Sequence, residues 1–281
     1  GVFEQRAVES FAEGEKRDVL IVFREPTPKV MRATGLKIFW SCDQYTVGDF
    51  KHLSQFVQKV VTISPFHTEY FAAAYGITNS IDIDLPVRSW EYEHEVDKVP
   101  NRLIFTSVPD RGLDIVAKIF PRIREEIPDA SLVITSDYRL WGVGEPRNSQ
   151  YIQKFIHESN VQFLGAVPRK RLVEEQLKAQ MHFYTSTYDE LFCISVAESQ
   201  VAGVLPITTN IGALATTNMG VVIGGNANDW AVQNIFVEKT IEYLRNPELP
   251  RIQKDLQERA KERFSLERIL KEWDERVFNA G

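Results

Sequence analysis

Residues Arg102–Ile127 read RLIFTSVPDRGLDIVAKIFPRIREEI. The first five (RLIFT) form a short apolar run, too short for a helix and closed by a turn, which predicts a strand. From Gly112 onward the pattern changes. Leu113, Val116, Ala117, Phe120 and Ile123 recur at three- and four-residue spacing, which predicts an amphipathic helix. The same alternation runs through the chain. Short runs lie at 18–23 (DVLIVF), 36–40 (LKIFW), 60–63 (VVTI), 131–135 (SLVIT), 161–164 (VQFL), 181–184 (MHFY), 204–207 (VLPI) and 220–223 (GVVI). Helical patterns fall at 149–157, 169–178 and 229–244. Strands alternating with helices predict an α/β protein with parallel sheets, whose short strands can be buried on both faces.

Composition narrows the class. The 281 residues are 43% hydrophobic and 26% charged, ordinary for a globular protein and contrary to a disordered or fibrous one. No run approaches the roughly 20 apolar residues of a membrane span, so no integral membrane association is expected. The opening GVFEQRAVESFAEGEKRD lacks the apolar core of a signal peptide. Cys42 and Cys193 are too few for a disulfide framework or a zinc cluster, and point to a reducing, cytoplasmic setting. The net charge of -6 offers no general attraction for nucleic acid or anionic lipid, while a local basic patch remains compatible with a phosphate-bearing ligand.

The charged, aromatic stretch 89–98 (SWEYEHEVDK) has no period and reads as a hinge, with a boundary near 96–101 (VDKVPN). Three parts follow: an N-terminal α/β domain over 1–97, a second domain over 98–262, and a C-terminal segment over 263–281. Within the last, Leu266, Ile269, Leu270, Trp273 and Val277 define an amphipathic helix capped by Ser265 with Glu267 in its first turn.

The segment 185–203 (TSTYDELFCISVAESQVAG) carries the chemistry. On one continuous helix Glu190 and Glu198 would lie ~80° and ~12 Å apart, too far to serve one atom. With Glu190 in a loop above the strand and Glu198 on the following helix, both border the crevice at the strand's carboxyl end. The amides of Phe192, Cys193, Ile194 and Ser195 would leave the helix N-terminus as an anion site. Carboxylates accept from hydroxyls and repel phosphates, so the arrangement suggests a ligand with hydroxyls at both ends and phosphates between: a nucleotide sugar. In the turn 106–112 (TSVPDRG), Ser107 precedes Arg111, which suits phosphate, and Gly112, which admits close backbone approach. The segment 163–172 (FLGAVPRKRL) offers the backbone of Ala166 and Val167 to a base edge, with Arg169, Lys170 and Arg171 beside it. The small-residue loop 208–216 (TTNIGALAT) lies on the same rim.

These residues resemble the retaining glycosyltransferases of the GT-B fold, specifically glycosyltransferase family four. The family's pair of glutamates separated by seven residues matches Glu190 and Glu198, its basic-residue–glycine turn matches Arg111–Gly112, and its V-x-F-x-G-x-V-P segment matches Val161–Pro168. The resemblance implies two Rossmann-like domains facing a cleft, with the last helix returning to the first domain. It implies that Glu190 holds donor-sugar hydroxyls, Glu198 the ribose, and Arg111 with the amides after Phe192 the diphosphate. Glu190 and Arg111 are then the catalytic pair, with no cofactor and no metal. The partners are a nucleotide-sugar donor of unspecified base and an acceptor that is a glycan, lipid, protein or modified nucleobase.

The chain departs from the family in three places. The part over 1–97 is shorter than the usual acceptor domain and reads as an abbreviated one, either a fragment or a reduced enzyme's domain. Cys42 stands in Trp40–Ser41–Cys42–Asp43 where this subgroup carries a histidine, and Ser107 lies where a phosphate-binding arginine usually precedes the glycine turn. Rival readings are a nucleotide-sugar-binding module without turnover and an epimerase or phosphorylase of the same fold. A nicotinamide-dependent oxidoreductase is disfavoured because no G-x-G-x-x-G follows a strand.

Other chemistry-bearing residues read mostly as structural. Cys42 and Cys193 read as packed thiols. Cys42, Asp43 and His67 fall on the acceptor side, with His67 (SPFHTEY) at a helix start and fitting a packing role. Lys170 is a candidate for phosphate. His182 (MHFY) reads as a core residue. Asp82 and Asp84 share a strand face, and an exposed face is favoured over a metal motif. The five histidines show no metal-ligand spacing.

Overall fold

The computed structural model describes residues 16–43, 53–142 and 146–279, together with isolated positions before 16. The chain divides into two compact units, one of residues 1–85 with 269–281 and one of residues 86–268.

In the first unit four parallel strands, β1 (Lys16–Phe23), β2 (Thr34–Trp40), β3 (Lys59–Thr62) and β4 (Ser80–Asp82), pair in sequence order. Helices α1 (Pro28–Met31) and α2 (Pro65–Tyr75) connect them. Alternation along the strands sorts the side chains. Val22, Phe39 and Val60 pack with Val30 and Phe71 on one face. Ile38 and Val61 pack on the other with Ile269, Trp273 and Val277 of the chain's last segment.

The second unit holds six parallel strands, β5 (Arg102–Phe105), β6 (Ser131–Ile134), β7 (Val161–Phe163), β8 (Met181–Tyr184), β9 (Leu205–Thr209) and β10 (Val221–Ile223). They run in the order β10-β9-β8-β5-β6-β7. This is the doubly wound arrangement, in which the order reverses beside β5 and a crevice opens at the carboxyl ends of the strands. The helices along this part of the chain are α3 (Leu113–Glu126), α4 (Pro146–Lys154), α5 (Arg169–Lys178), α6 (Ile194–Val201), α7 (Leu214–Thr217), α8 (Trp230–Leu244) and α9 (Leu249–Arg263), followed by α10 (Leu266–Glu272). Leu103, Phe105, Met181 and Phe183 point into a core with Val116, Ile119, Phe120 and Ile123 of α3 and Phe236 of α8. The alternate residues of β8, His182 and Tyr184, are fully buried outside that core.

Every apolar run anticipated as a strand is one, and the chain is α/β with two parallel sheets. The segment 86–98, expected on the N-terminal side of a boundary near 96–101, falls in the second unit. The reason is local. The Val87 amide donates to the Phe264 carbonyl, the buried Tyr92 hydroxyl to Gln176 Oε1, and Lys98 Nζ to the Ala202 carbonyl. Among the described residues no helix is long and apolar enough to cross a membrane.

Candidate functional site

The site is built where β5 and β8 end. After β5 the chain turns through Ser107–Arg111 and enters α3 at Gly112, which has φ +102°. A Cβ there would lie 2.4 Å from the Thr185 carbonyl oxygen, so only glycine lets the two strand ends meet. Thr185 Oγ1 in turn donates to the Gly112 carbonyl over 2.8 Å.

Glu190 lies in the β8–α6 loop. Its Oε1 accepts two hydrogen bonds, from Arg111 Nε at 2.9 Å and from the Tyr184 hydroxyl at 2.7 Å. Arg111 also pairs with Asp110 at 3.2 Å, and its guanidinium lies 3.7 Å from the centre of the Tyr188 ring. Burial raises the pKa of Glu190, with Tyr184 and Arg111 opposing the rise. The loop after β9 clamps the glutamate from behind, with the Ala213 amide donating to the Glu190 carbonyl at 2.7 Å.

Helix α6 begins immediately after Cys193, a non-glycine residue with φ +70°. Its carbonyl accepts from Val196 and Ala197. The amides of Phe192, Cys193, Ile194 and Ser195 make no hydrogen bond among the described residues, which leaves a helix N-terminus open to an anion. Phe192 is buried edge-on against Phe264, and Cys193 packs with Tyr184, Val196 and Leu214. Burial pushes the Cys193 thiol up to about 12, the opposite of a reactive thiolate. Beneath the helix His182 is fully buried and bonds Ser199 at 2.8 Å and Thr106 at 3.3 Å, so it serves the core.

Glu198 lies on α6 and pairs with Arg169 NH1 at 2.7 Å. Arg169, the first residue of α5, also binds Glu91 at 2.6 Å and donates to the Tyr92 hydroxyl at 3.0 Å. Of the basic cluster it is therefore Arg169, and not the exposed Lys170, that reaches a site carboxylate. Arg171 instead pairs with the buried Glu175. Burial raises the pKa of Glu198, with Arg169 opposing.

The backbone of Ala166, offered to a base edge on sequence grounds, is only partly available. Its amide donates to Asp137 Oδ2 at 3.2 Å. Asp137 is a buried carboxylate that also accepts from the Arg139 amide, the Arg139 guanidinium and Asn148. Burial works to raise its pKa, but these donors outweigh it and hold the carboxyl well below the usual range. The carbonyl of Ala166 and the backbone of Val167 remain on the same loop.

The acceptor-side candidates belong to the first unit. Cys42 is half-buried and its thiol is pushed up to about 12 by burial and then by Asp43. Asp43 forms a two-pronged pair with Arg24, including an NH2–Oδ1 contact of 2.7 Å. His67 is fully buried, accepts the Ile63 amide on Nδ1 and packs edge-on against Phe71, while Ser64 caps its helix. Asp82 meets Arg276 at 3.4 Å. Among the described residues no group of three or more His, Cys, Asp and Glu side chains has the arrangement of a metal site.

Four residues that organise the site were not singled out from sequence: Tyr184, Asp137, Gly212 and Tyr188. Tyr184 and Asp137 carried a signal of sorts, a polar group at the end of a buried strand where the crevice opens. Gly212 and Tyr188 lie in loops whose paths only the fold specifies.

Comparison with known proteins bears on this geometry. Residues 94–263 match the family described as Glycosyl transferases group 1. A phosphatidylinositol N-acetylglucosaminyltransferase component from Arabidopsis thaliana is 26% identical over 143 residues, 51% of this chain and 31% of that protein. A glycosyltransferase from Rickettsia africae superposes with a TM-score of 0.73 and 18% identity over 93% of this chain and 77% of its own. HepE of Anabaena, solved with UDP and glucose, superposes with a TM-score of 0.72 and 14% identity over 93% of this chain and 78% of its own. TarM gives 0.72 and 14% over 93% of this chain and 55% of its own. The chain thus spans about a third of the curated relative and about half of TarM. The structural likeness shows the GT-B fold. The family match covers more than half of the sequence, and the chain belongs to the glycosyl transferases group 1 family.

Proposed function

We propose that this chain binds a nucleotide diphosphate sugar and transfers its glycosyl group to an acceptor hydroxyl, with retention at the anomeric carbon and without a metal, as in the family four enzymes it resembles. The observation that carries the reading is Glu190, fixed by Arg111 and Tyr184 at the carboxyl end of β8, immediately before the open amides of α6.

The physical logic is leaving-group stabilisation. As the sugar departs, negative charge grows on the β-phosphate of the nucleotide. The α6 amides are fixed dipoles that need no reorganisation when that charge appears. Arg111, which pairs with Glu190 and Asp110, brings guanidinium N–H donors to the same phosphate. Glu190 accepts from sugar hydroxyls and orients the ring, while Glu198 takes the ribose. No carboxylate is assigned as a covalent nucleophile, so the acceptor hydroxyl attacks from the face the leaving phosphate vacates, and its proton passes to an oxygen of that departing phosphate as the bond to the old leaving group breaks. HepE was solved with UDP-glucose, which makes that donor the first to test here. The acceptor stays open among a glycan, a lipid, a protein and a modified nucleobase, and a cytoplasmic setting is part of the same reading.

The test is a panel of nucleotide sugars scored by thermal shift and by nucleotide release. One donor is expected to raise Tm and release nucleotide, and Glu190→Ala is expected to lower release at least ~100-fold while UDP affinity stays within a few-fold. A shift without release would favour a binding module, and conversion of the donor without transfer an epimerase. No response across the panel would sink the proposal.

A further inference from the structure

The two hydrogen bonds to Glu190 fall on the same oxygen. Arg111 Nε and the Tyr184 hydroxyl both donate to Oε1, while Oε2 makes no hydrogen bond among the described residues. Because the phenol proton goes to the carboxylate, the Tyr184 oxygen is left to accept, and Ser107 Oγ lies 3.4 Å from it. The chain Ser107–Tyr184–Glu190 therefore ties the end of β5 to the carboxylate through a packed side chain. Tyr184 is fully buried, stacked on Phe105 at 6.5 Å and edge-on to His182 at 5.7 Å. Arg111 reaches Glu190 from the turn before α3 and Tyr184 from β8, so two independent elements fix one oxygen.

We propose that Tyr184 is a positioning residue for Glu190: with Arg111 it saturates Oε1 and leaves Oε2 as the carboxylate oxygen presented to a sugar hydroxyl. The inference rests on the nucleotide-sugar reading for its purpose, but not for its geometry. A single free oxygen on a fixed plane accepts from one or two hydroxyls in one orientation, whereas a freely rotating carboxylate would accept from many. Tyr184 thus acts on ligand orientation without touching the ligand. The groups facing Glu190 are Tyr184 on β8, Asp110 and Arg111 before α3, and Cys193 at the start of α6. Loss of the phenolic donor removes an interaction that favours the ionised carboxylate, so the Glu190 pKa moves upward.

The test substitutes Tyr184→Phe, which keeps the ring and deletes the hydroxyl. Carboxyl-carbon NMR of the free protein, with Glu190 assigned by Glu190→Gln, reads the titration directly. An upward shift of roughly half a unit or more is expected, and identical titration in both proteins overturns the proposal. With UDP-glucose as probe, nucleotide release by Tyr184→Phe is expected to fall at least ~10-fold, with its acid limb displaced upward and the UDP Kd within about twofold. A shifted titration with unchanged release also overturns the positioning role. Should Tyr184→Phe fail to fold, 3,5-difluorotyrosine at 184, a stronger donor, is expected to move the Glu190 titration down, and no movement overturns the proposal. If the native protein responds to no nucleotide sugar, the functional reading fails, and the NMR comparison still decides whether Tyr184 governs Glu190.

Discussion

Gly212 and Glu190 meet backbone to backbone: a Cβ on Gly212 would lie 2.5 Å from the Glu190 carbonyl oxygen and 2.7 Å from its nitrogen. Gly212 also has φ +56°, which other residues adopt only with strain. The β9–α7 loop is therefore a wall against which the catalytic candidate is set. Gly212→Ala is expected to cost about 1–3 kcal/mol and to weaken the thermal shift with UDP-glucose more than that with UDP. Urea unfolding and the paired shifts check this, and an unchanged sugar-dependent increment would contradict it.

Arg169 and Glu198 form the second carboxylate pair, and both side chains are mostly buried. Removing Arg169 strands a buried charge, so Arg169→Met is expected to destabilise by about 2–4 kcal/mol, part of it from the lost contacts to Glu91 and Tyr92. Glu198→Gln in the same background should restore some of that loss. A double-mutant cycle on urea unfolding is expected to give a coupling of about 1 kcal/mol or more. Strict additivity would mean the pair is not formed in solution.

Both units carry a buried neutral histidine. Burial lowers His67 to about 4 and His182 to about 3, against 6.5 for the exposed side chain. A base with a depressed folded pKa leaves the unfolded chain to bind the proton first as pH falls. Stability is thus full above about pH 6.5 and declines below it, by up to about 1.4 kcal/mol per pH unit for each histidine. Urea midpoints at pH 7, 6 and 5 should fall accordingly. His182→Asn, which can still bond Ser199 and Thr106, is expected to flatten the slope for the second unit. A midpoint independent of pH over this range would show that the histidines are not buried neutral.

The two thiols make a separate test of the packing. Cys42 and Cys193 are each pushed up to about 12, with burial the first cause. Reaction with a disulfide reagent at pH 8 is expected to run at least ~100-fold slower in the folded protein than in guanidinium. Comparable rates would argue against the environment described for Cys193 and with it the helix start it caps.

The fold was legible because most of its strands are short apolar runs separated by helices of regular period. The run from Arg102 to Ile127 alone contains β5, the turn and α3. β4 (Ser80–Asp82) was absent from the apolar runs, since three residues without a fully buried position leave none, and only the Asp82–Asp84 alternation marked a strand there. The candidate site was legible where its residues fall in one local string. Arg111–Gly112 and the Glu190–Glu198 spacing name their own turn and helix. What escaped were partners brought together by pairing of distant strands. Nothing in MHFY announces that Tyr184 reaches Glu190, and nothing in TSDYRL announces that Asp137 takes the Ala166 amide. The place of Arg169 among three consecutive basic residues depends on the helical phase of α5 relative to α6, which sequence spacing on one helix does not contain.

The most direct test of the account is a crystal structure of the protein with UDP-glucose bound. It should show the glucose hydroxyls within about 3.2 Å of Glu190 Oε2, the ribose hydroxyls on Glu198, and the diphosphate on the amides from Phe192 to Ser195. Nucleotide sugar seated elsewhere, with Glu190 and Glu198 opening onto separate cavities, would contradict it.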